Sequence, residues 1–195
     1  MINDSPQIIT RVVKLGGSLL QCSDLPERLG QFLNAFPNSR NVIIIGGGEL
    51  VNTVRAWHEV YGLSEQWSHH SSIRLMSETA RLLQEICPFL DYADRIQDIA
   101  QQGNTILDCQ SQLTQHSQLE ASWETTSDSI AAEIAHVLGA TELWLLKSIS
   151  PLTSSVSDWV ENGIVDRQFA QAYDHARPLY LLNLTLRDSL PVRGD

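Results

Sequence analysis

Lysine is nearly absent: of 13 basic side chains 11 are arginine, and only Lys14 and Lys147 carry an ammonium group. Lysine is ordinarily among the commonest residues, so the two positions that keep it stand out. Positive charge is scarce altogether. Against 23 acidic residues the net charge is −10, and no block of Lys or Arg supplies the footprint of a nucleic-acid binder. Nucleic acid is therefore excluded as an expected partner. Cysteine is limited to Cys22, Cys87 and Cys109, an odd number without metal-ligand spacing. That argues against a disulfide framework and against a protein-held metal, and suits reduced thiols in a cytoplasm. Long apolar runs are missing as well. No segment approaches the roughly 20 residues of a membrane span, and neither the polar MINDSPQ nor the short, charged IITRVVK that follows resembles a signal sequence. The expectation is a cytoplasmic protein that does not use a membrane.

What is present fits one core. A length of 195 residues supports one sizeable domain and falls short of two, so residues 1–195 are read as a single domain with a polar, frayed tail from about residue 185. Short apolar runs alternate with segments of helical period. Residues 8–15 read as a strand running into Gly16-Gly17-Ser18, and Leu25 to Phe36 as a helix. Val42 to Ile45 is β-branched and ends at Gly46-Gly47-Gly48, after which Leu50, Val51, Val54 and Trp57 resume the helical period. Ser64 to Cys87 predicts a long helix, Asp94 to Gln102 a short one, Thr105 to Cys109 a strand, and the Gln- and Ser-rich residues 110–122 a surface segment. A serine-rich loop follows Lys147, then a helix interrupted at Gly163 between Trp159 and Tyr173, and a last strand at Leu179 to Leu182. Such alternation predicts an α/β protein, a three-layer αβα sandwich with a mainly parallel central sheet.

The stretch from Trp123 to Lys147 organises the rest. Ile130, Ile134, Val137 and Leu138 form one face of a helix that Ser127 or Asp128 can cap and Gly139 can end. Leu143 to Leu146 is a buried strand. A helix of about ten residues rises roughly 15 Å and five strand residues return roughly 16 Å, so Lys147 is expected back beside Asp128.

In parallel sheets ligands bind at the carboxyl ends of the strands, and three junctions meet there: the turn after Lys14, the triple glycine, and Lys147 itself. Glycine turns let backbone amides approach an anion, and a following helix N-terminus adds its dipole. A phosphate site is the reading these junctions support together. The triple glycine is not GxGxxG, which counts against a nicotinamide-binding oxidoreductase, and no GxxxxGK[ST] loop occurs. Each residue also has a plainer reading. Asp128 and Asp166 can be helix caps, His69 a core histidine on the face of Ile73, and Arg55 a solvated side chain.

The ordered set K-L-G-G-S at 14–18, I-I-G-G-G at 44–48, T-S-D-S-I-A-A at 126–132 and L-L-K at 145–147 resembles the amino acid kinase family, which includes aspartate, acetylglutamate and uridylate kinases. Within it, residues 68–76, 122–132 and 163–169 most resemble the small kinase branch of methanofuran biosynthesis, which acts on an aminomethylfuran phosphate. The resemblance implies ATP with Mg²⁺ and a small-molecule acceptor, with Lys14, Lys147 and Asp128 as the catalytic group. It further implies that Gly16, Gly17, Ser18, Thr126, Ser127 and Asp166 bind ATP, and that Gly46, Gly47, Gly48, Arg55 and His69 face the acceptor. Members commonly assemble, so a homo-oligomer is expected. The pattern departs after Lys147, where Ser148-Ile149-Ser150-Pro151 replaces the usual acidic and glycine residues, and a protein that binds nucleotide or anion without turnover is the alternative.

Overall fold

The computed structural model describes residues 8–195; the MINDSPQ segment read against a signal sequence lies outside them. Four parallel strands form the middle of the molecule: β1 (Thr10–Leu15), β2 (Arg40–Ile45), β4 (Gly103–Leu107) and β5 (Glu142–Lys147). With β3 (Asp91–Ala93), β6 (Leu179–Asn183) and β7 (Val192–Arg193) they make one seven-stranded sheet in the order β3-β4-β2-β1-β5-β6-β7. Every pairing is parallel except β6 with β7.

Helices cover both faces. Alternation along β1 sends Val13 and Leu15 to one side, where they pack with Leu29 of α1 (Leu25–Asn34) and with Ala80 and Leu83 of α3 (Glu65–Ile86). Val12 goes to the other side, among Ile130, Ala131 and Ile134 of α5 (Ser127–Val137) and Trp159 of α6 (Val156–Glu161). Period-two geometry puts Lys14 on the same side as Val12, and Lys147 on the same side as Leu143 and Leu145. Both ammonium groups thus share the α5 face, a placement decided by strand register. α2 (Gly48–Tyr61) and the short α4 (Gln110–His116) and α7 (Phe169–Ala172) complete the layers.

Several expectations are corrected. Residues 94–102 hold only a single 3₁₀ turn at Ile96–Asp98, preceded by the unforeseen edge strand β3. The fourth strand starts earlier, at Gly103, because pairing with Arg40 and Asn41 of β2 extends it backward. Residues 110–116 are helical; the carboxylate of Asp108 accepts from Gln110 N at 3.0 Å and holds the first turn. α6 begins inside the expected loop, capped by Ser155, whose Oγ accepts from Asp158 N at 3.3 Å. The tail is tied down rather than frayed. Gly194 N donates to Leu179 O at 3.0 Å, and Asp195 accepts from Val156 N at 3.2 Å. Gly139 does end α5, at φ +58°. Among the described residues no helix is long and apolar enough to cross a membrane.

Candidate active site

Strand order reverses direction between β1 and β5, since the chain leaves β1 toward β2 on one side and returns with β5 on the other. That crevice is where open parallel sheets bind ligands. Lys14 approaches it from β1 and Lys147 from the last residue of β5, and both reach Asp128 in the first turn of α5. Lys147 Nζ donates to Asp128 Oδ2 at 2.7 Å and to Ile164 O at 2.7 Å. Lys14 Nζ stands 2.9 Å from Asp128 Oδ1 in an ion pair whose angle is not that of a hydrogen bond. The side chains of Lys14 and Asp128 are each 6 % exposed and that of Lys147 12 %.

Two ammonium groups and one carboxylate, largely out of water, leave an excess positive charge that an anion would neutralise. Burial alone would raise the Asp128 carboxyl, but Lys14 and Lys147 outweigh it and hold it below the ordinary carboxylate value. Burial pushes the Lys147 ammonium down to about 8; Asp128 opposes the fall and the neighbouring Lys14 adds to it.

α5 starts differently from the sequence expectation. Neither Ser127 nor Asp128 caps it: Thr126 does, with Oγ1 accepting from Asp128 N at 3.4 Å. Asp166, 40 residues away, braces that turn. Its carboxylate accepts from Thr126 N at 3.0 Å, Thr126 Oγ1 at 2.6 Å, Ser129 N at 3.1 Å and Ser129 Oγ. Asp128, freed from capping, points at the lysines.

The glycine turns meet face to face. A Cβ on Gly17 would fall 2.2 Å from Gly48 N, and Gly48 sits at φ +55° with its own Cβ position 2.8 Å from Gly17 O. No side chain fits at either place. Gly16 and Gly46 spend their amides on strand carbonyls, donating to Leu146 O at 2.8 Å and Leu15 O at 2.9 Å. Gly16 is buried outside the cavity lining, while Gly17, Ser18 and Gly46, Gly47 and Gly48 line a cavity of about 260 Å³ at the N-terminus of α2. Ser18 and Ser148 bridge the turns after β1 and β5, Oγ to Oγ at 2.9 Å.

Arg55, His69, Thr126 and Ser127 line the same cavity. His69 is therefore a cavity-wall residue as well as a packed one. Its Nδ1 lies 3.3 Å from Ser122 O, and burial lowers its pKa, opposed by that carbonyl and reinforced by His70. Asp128, Lys147, Thr126 and Asp166 line a second, broader groove walled by residues 160–167. Trp123 borders both spaces. Neither Trp123 nor the cavity-lining Thr125 was singled out by sequence reasoning. An aromatic residue in an otherwise polar loop just before T-S-D-S is the one local signal that marks them. Among the described residues no cluster of three His, Cys, Asp or Glu could hold a metal.

No protein-family model matches the chain. A curated protein, (5-(aminomethyl)furan-3-yl)methyl phosphate kinase of Methanocaldococcus jannaschii, is 31% identical over 137 residues. That match covers 68% of this chain and spans 62% of the relative's length. Among solved structures, uridylate kinase from Archaeoglobus fulgidus aligns with a TM-score of 0.62 at 16% identity, over 88% of this chain and 89% of the other. UMP kinase from Ureaplasma parvum aligns with a TM-score of 0.64 at 11% identity, over 94% and 93%. Aspartate kinase from Synechocystis aligns with a TM-score of 0.69 at 10% identity, over 95% of this chain and 40% of that one.

Proposed function

The chain has the fold of the amino acid kinase family, and from that premise we propose that it is an ATP-dependent small-molecule kinase, transferring the γ-phosphoryl group to a phosphate or carboxylate oxygen. An aminomethylfuran phosphate on the way to a one-carbon carrier of the methanofuran type is the acceptor to test first. The observation that carries the reading is the buried Lys14–Asp128–Lys147 group, of which Asp128 and Lys147 line the open groove that shares Trp123 and Thr126 with the glycine-walled cavity.

Phosphoryl transfer asks for alignment and charge neutralisation more than for covalent help. In the proposed arrangement the acceptor lies in the cavity, its oxygen facing the groove, and ATP lies along residues 160–167. The acceptor oxygen forms a bond to the γ-phosphorus as the bond to the ADP oxygen breaks. Lys14 and Lys147 meet the negative charge on the transferring oxygens, and Asp128 holds both amines in place before substrate arrives, so little reorganisation is left for the reaction. The amides of Gly17, Gly47 and Gly48 and the α2 dipole face the acceptor's anionic group.

The excess positive charge and the side-chain-free turns fit a polyphosphate. Mg²⁺ would be held mainly by phosphate oxygens and water, and it would supply further neutralisation of phosphate charge. All three cysteines are free, in keeping with work in the cytoplasm, and exposed apolar side chains on α2 and α3 favour a homo-oligomer.

The direct test is ³¹P NMR of the protein with ATP, Mg²⁺ and the aminomethylfuran phosphate, extended to a panel of small phosphates and carboxylates. A new diphosphate or acyl phosphate resonance with ADP is the expected result. Calorimetric binding of ATP with no product from any acceptor would replace this reading by that of a nucleotide-binding protein without turnover.

A further inference from the structure

α3 turns one face to the acceptor cavity. His69, Ser72, Ile73 and Met76 follow one another at helical spacing, and all four line it. Of these only His69 brings a titratable group, and its ring is fixed in place: Nδ1 lies 3.3 Å from Ser122 O in the loop before α5, and Ser122 is itself buried. Burial favours the uncharged imidazole, with neighbouring His70 adding to the effect against the pull of that carbonyl. A carbonyl oxygen only accepts, so in the uncharged ring Nδ1 carries the hydrogen and Nε2 is left with a lone pair. Nε2 makes no hydrogen bond among the described residues and is not one of their buried unpartnered atoms, so the lone pair borders open space.

The polar lining of the cavity is of two kinds. Backbone amides of the glycine turns and the Arg55 guanidinium only donate, and they suit an anion. The His69 lone pair only accepts, and it repels one. So does the Glu49 carboxylate in the first turn of α2, which lines the same cavity and accepts from Asn52 Nδ2 at 3.3 Å. A ligand complementary to both kinds carries an anionic group and, apart from it, an N–H or O–H donor. We infer that His69 determines acceptor specificity: through Nε2 it accepts a hydrogen bond from an amine or hydroxyl on the phosphate or carboxylate, and so selects acceptors that carry such a donor over acceptors that are only anionic. The inference rests on the kinase reading for calling the ligand of this cavity the acceptor. Glu49 and Arg55 of α2 share the cavity with His69. On α3 itself His70 stands beside it, ring centroids 6.1 Å apart, and Glu65 lies one turn earlier with its carboxylate engaged by Trp123 N.

Calorimetry without nucleotide tests this with terminal aminoalkyl and hydroxyalkyl phosphates of two to five carbons, each set against the plain alkyl phosphate of the same length. At one or more lengths the wild type is expected to bind a donor-bearing compound about tenfold more tightly than its plain partner. The arm that wins distinguishes amine from hydroxyl. His69→Phe keeps a ring and removes the lone pair, so the ratio should fall to one while the plain alkyl phosphates bind as before. The wild type alone supplies a second readout. Below the ordinary histidine value of about 6.5 the ring gains a proton at Nε2 and donates, so the preference should fade on acidification; the phosphate titration, common to both partners, leaves the ratio unchanged. A ratio near one at every length, a ratio kept in His69→Phe or indifferent to pH, or no binding of any compound at millimolar concentration would overturn the inference. The two readings fail separately. The expected preference with no ADP formed from ATP would remove the kinase and leave His69 its role, whereas equal turnover of donor-bearing and plain alkyl phosphates would do the reverse.

Discussion

At the scale of single residues, the question is what two buried ammonium groups do when only one carboxylate faces them. If they stabilise the transferring phosphoryl group, Lys14→Ala and Lys147→Ala should each lower kcat on the order of 10²- to 10³-fold, as loss of one preorganised charge stabiliser does. Steady-state ADP release measures it, and unchanged turnover in both variants would remove the physical basis of the mechanism. The Lys147 ammonium, pushed down to about 8 by burial, makes a second prediction. It is charged below that value and neutral above it, so kcat/KM, which reports the free enzyme, should fall as pH rises through about 8. Asp128 is held below the ordinary carboxylate value and contributes no loss on the acid side until well below neutrality. Lys147→Arg keeps its charge throughout, and in that variant the alkaline fall should disappear from the accessible range even where overall activity is reduced. A pH profile of kcat/KM with the same alkaline limb in both proteins would assign the titration elsewhere.

At the scale of elements, the start of α5 and the paired glycine turns matter most. Asp166 accepts four hydrogen bonds from Thr126 and Ser129, and Asp128 lies between those two residues in the chain. Asp166→Ala leaves partly buried donors without partners and should lower stability by about 2 kcal/mol, read from the urea midpoint, together with a fall in kcat as Asp128 loses its fixed direction. A full loss of ATP affinity with unchanged stability would instead make Asp166 a nucleotide contact, as the family resemblance implies. The turns after β1 and β2 touch backbone to backbone, and the Cβ of Gly17→Ala would fall 2.2 Å from Gly48 N. Neither side can yield by a side-chain rotation. The turns must part by an ångström or so, and a displacement of that size at a reacting centre should cost about 10²-fold in kcat/KM, with far-ultraviolet circular dichroism unchanged.

At the scale of the whole molecule, the sheet places the site at its topological switch point and leaves one region without cover. Trp57, Val60 and Tyr61 near the end of α2 and Trp67 near the start of α3 are 49%, 72%, 72% and 49% exposed, a concentration of large apolar side chains that an assembly would bury. A homo-oligomer formed through this region predicts a sedimentation coefficient above that of a 21.8 kDa monomer, reduced by Tyr61→Glu with Trp57→Glu. A wild-type protein sedimenting as a monomer at tens of micromolar would end that expectation. Because α2 and α3 also carry Arg55 and His69, the same variants should be assayed for turnover.

Much of this was legible in the chain. The apolar runs and glycine breaks announced β1, β2 and β5, the return of β5 along α5 brought Lys147 back to Asp128, and the near-absence of lysine marked both amines before any fold was known. These are local or near-local signals, set by periodicity, by turn chemistry and by the fixed rise of helix and strand. Other features depended on residues far apart meeting. Thr126 took the cap that Ser127 or Asp128 could have supplied, and the Asp166 carboxylate, 40 residues away, reached the amides of Thr126 and Ser129. β3 and β7 are too short to show a period and exist because a neighbouring strand offers them an edge. Trp123 and Thr125 became cavity walls only when α2 and α3 closed against their loop. Propensity acts along the chain and so can be read there; a hydrogen bond or a cavity wall between distant segments exists only once the packed layers have brought them together.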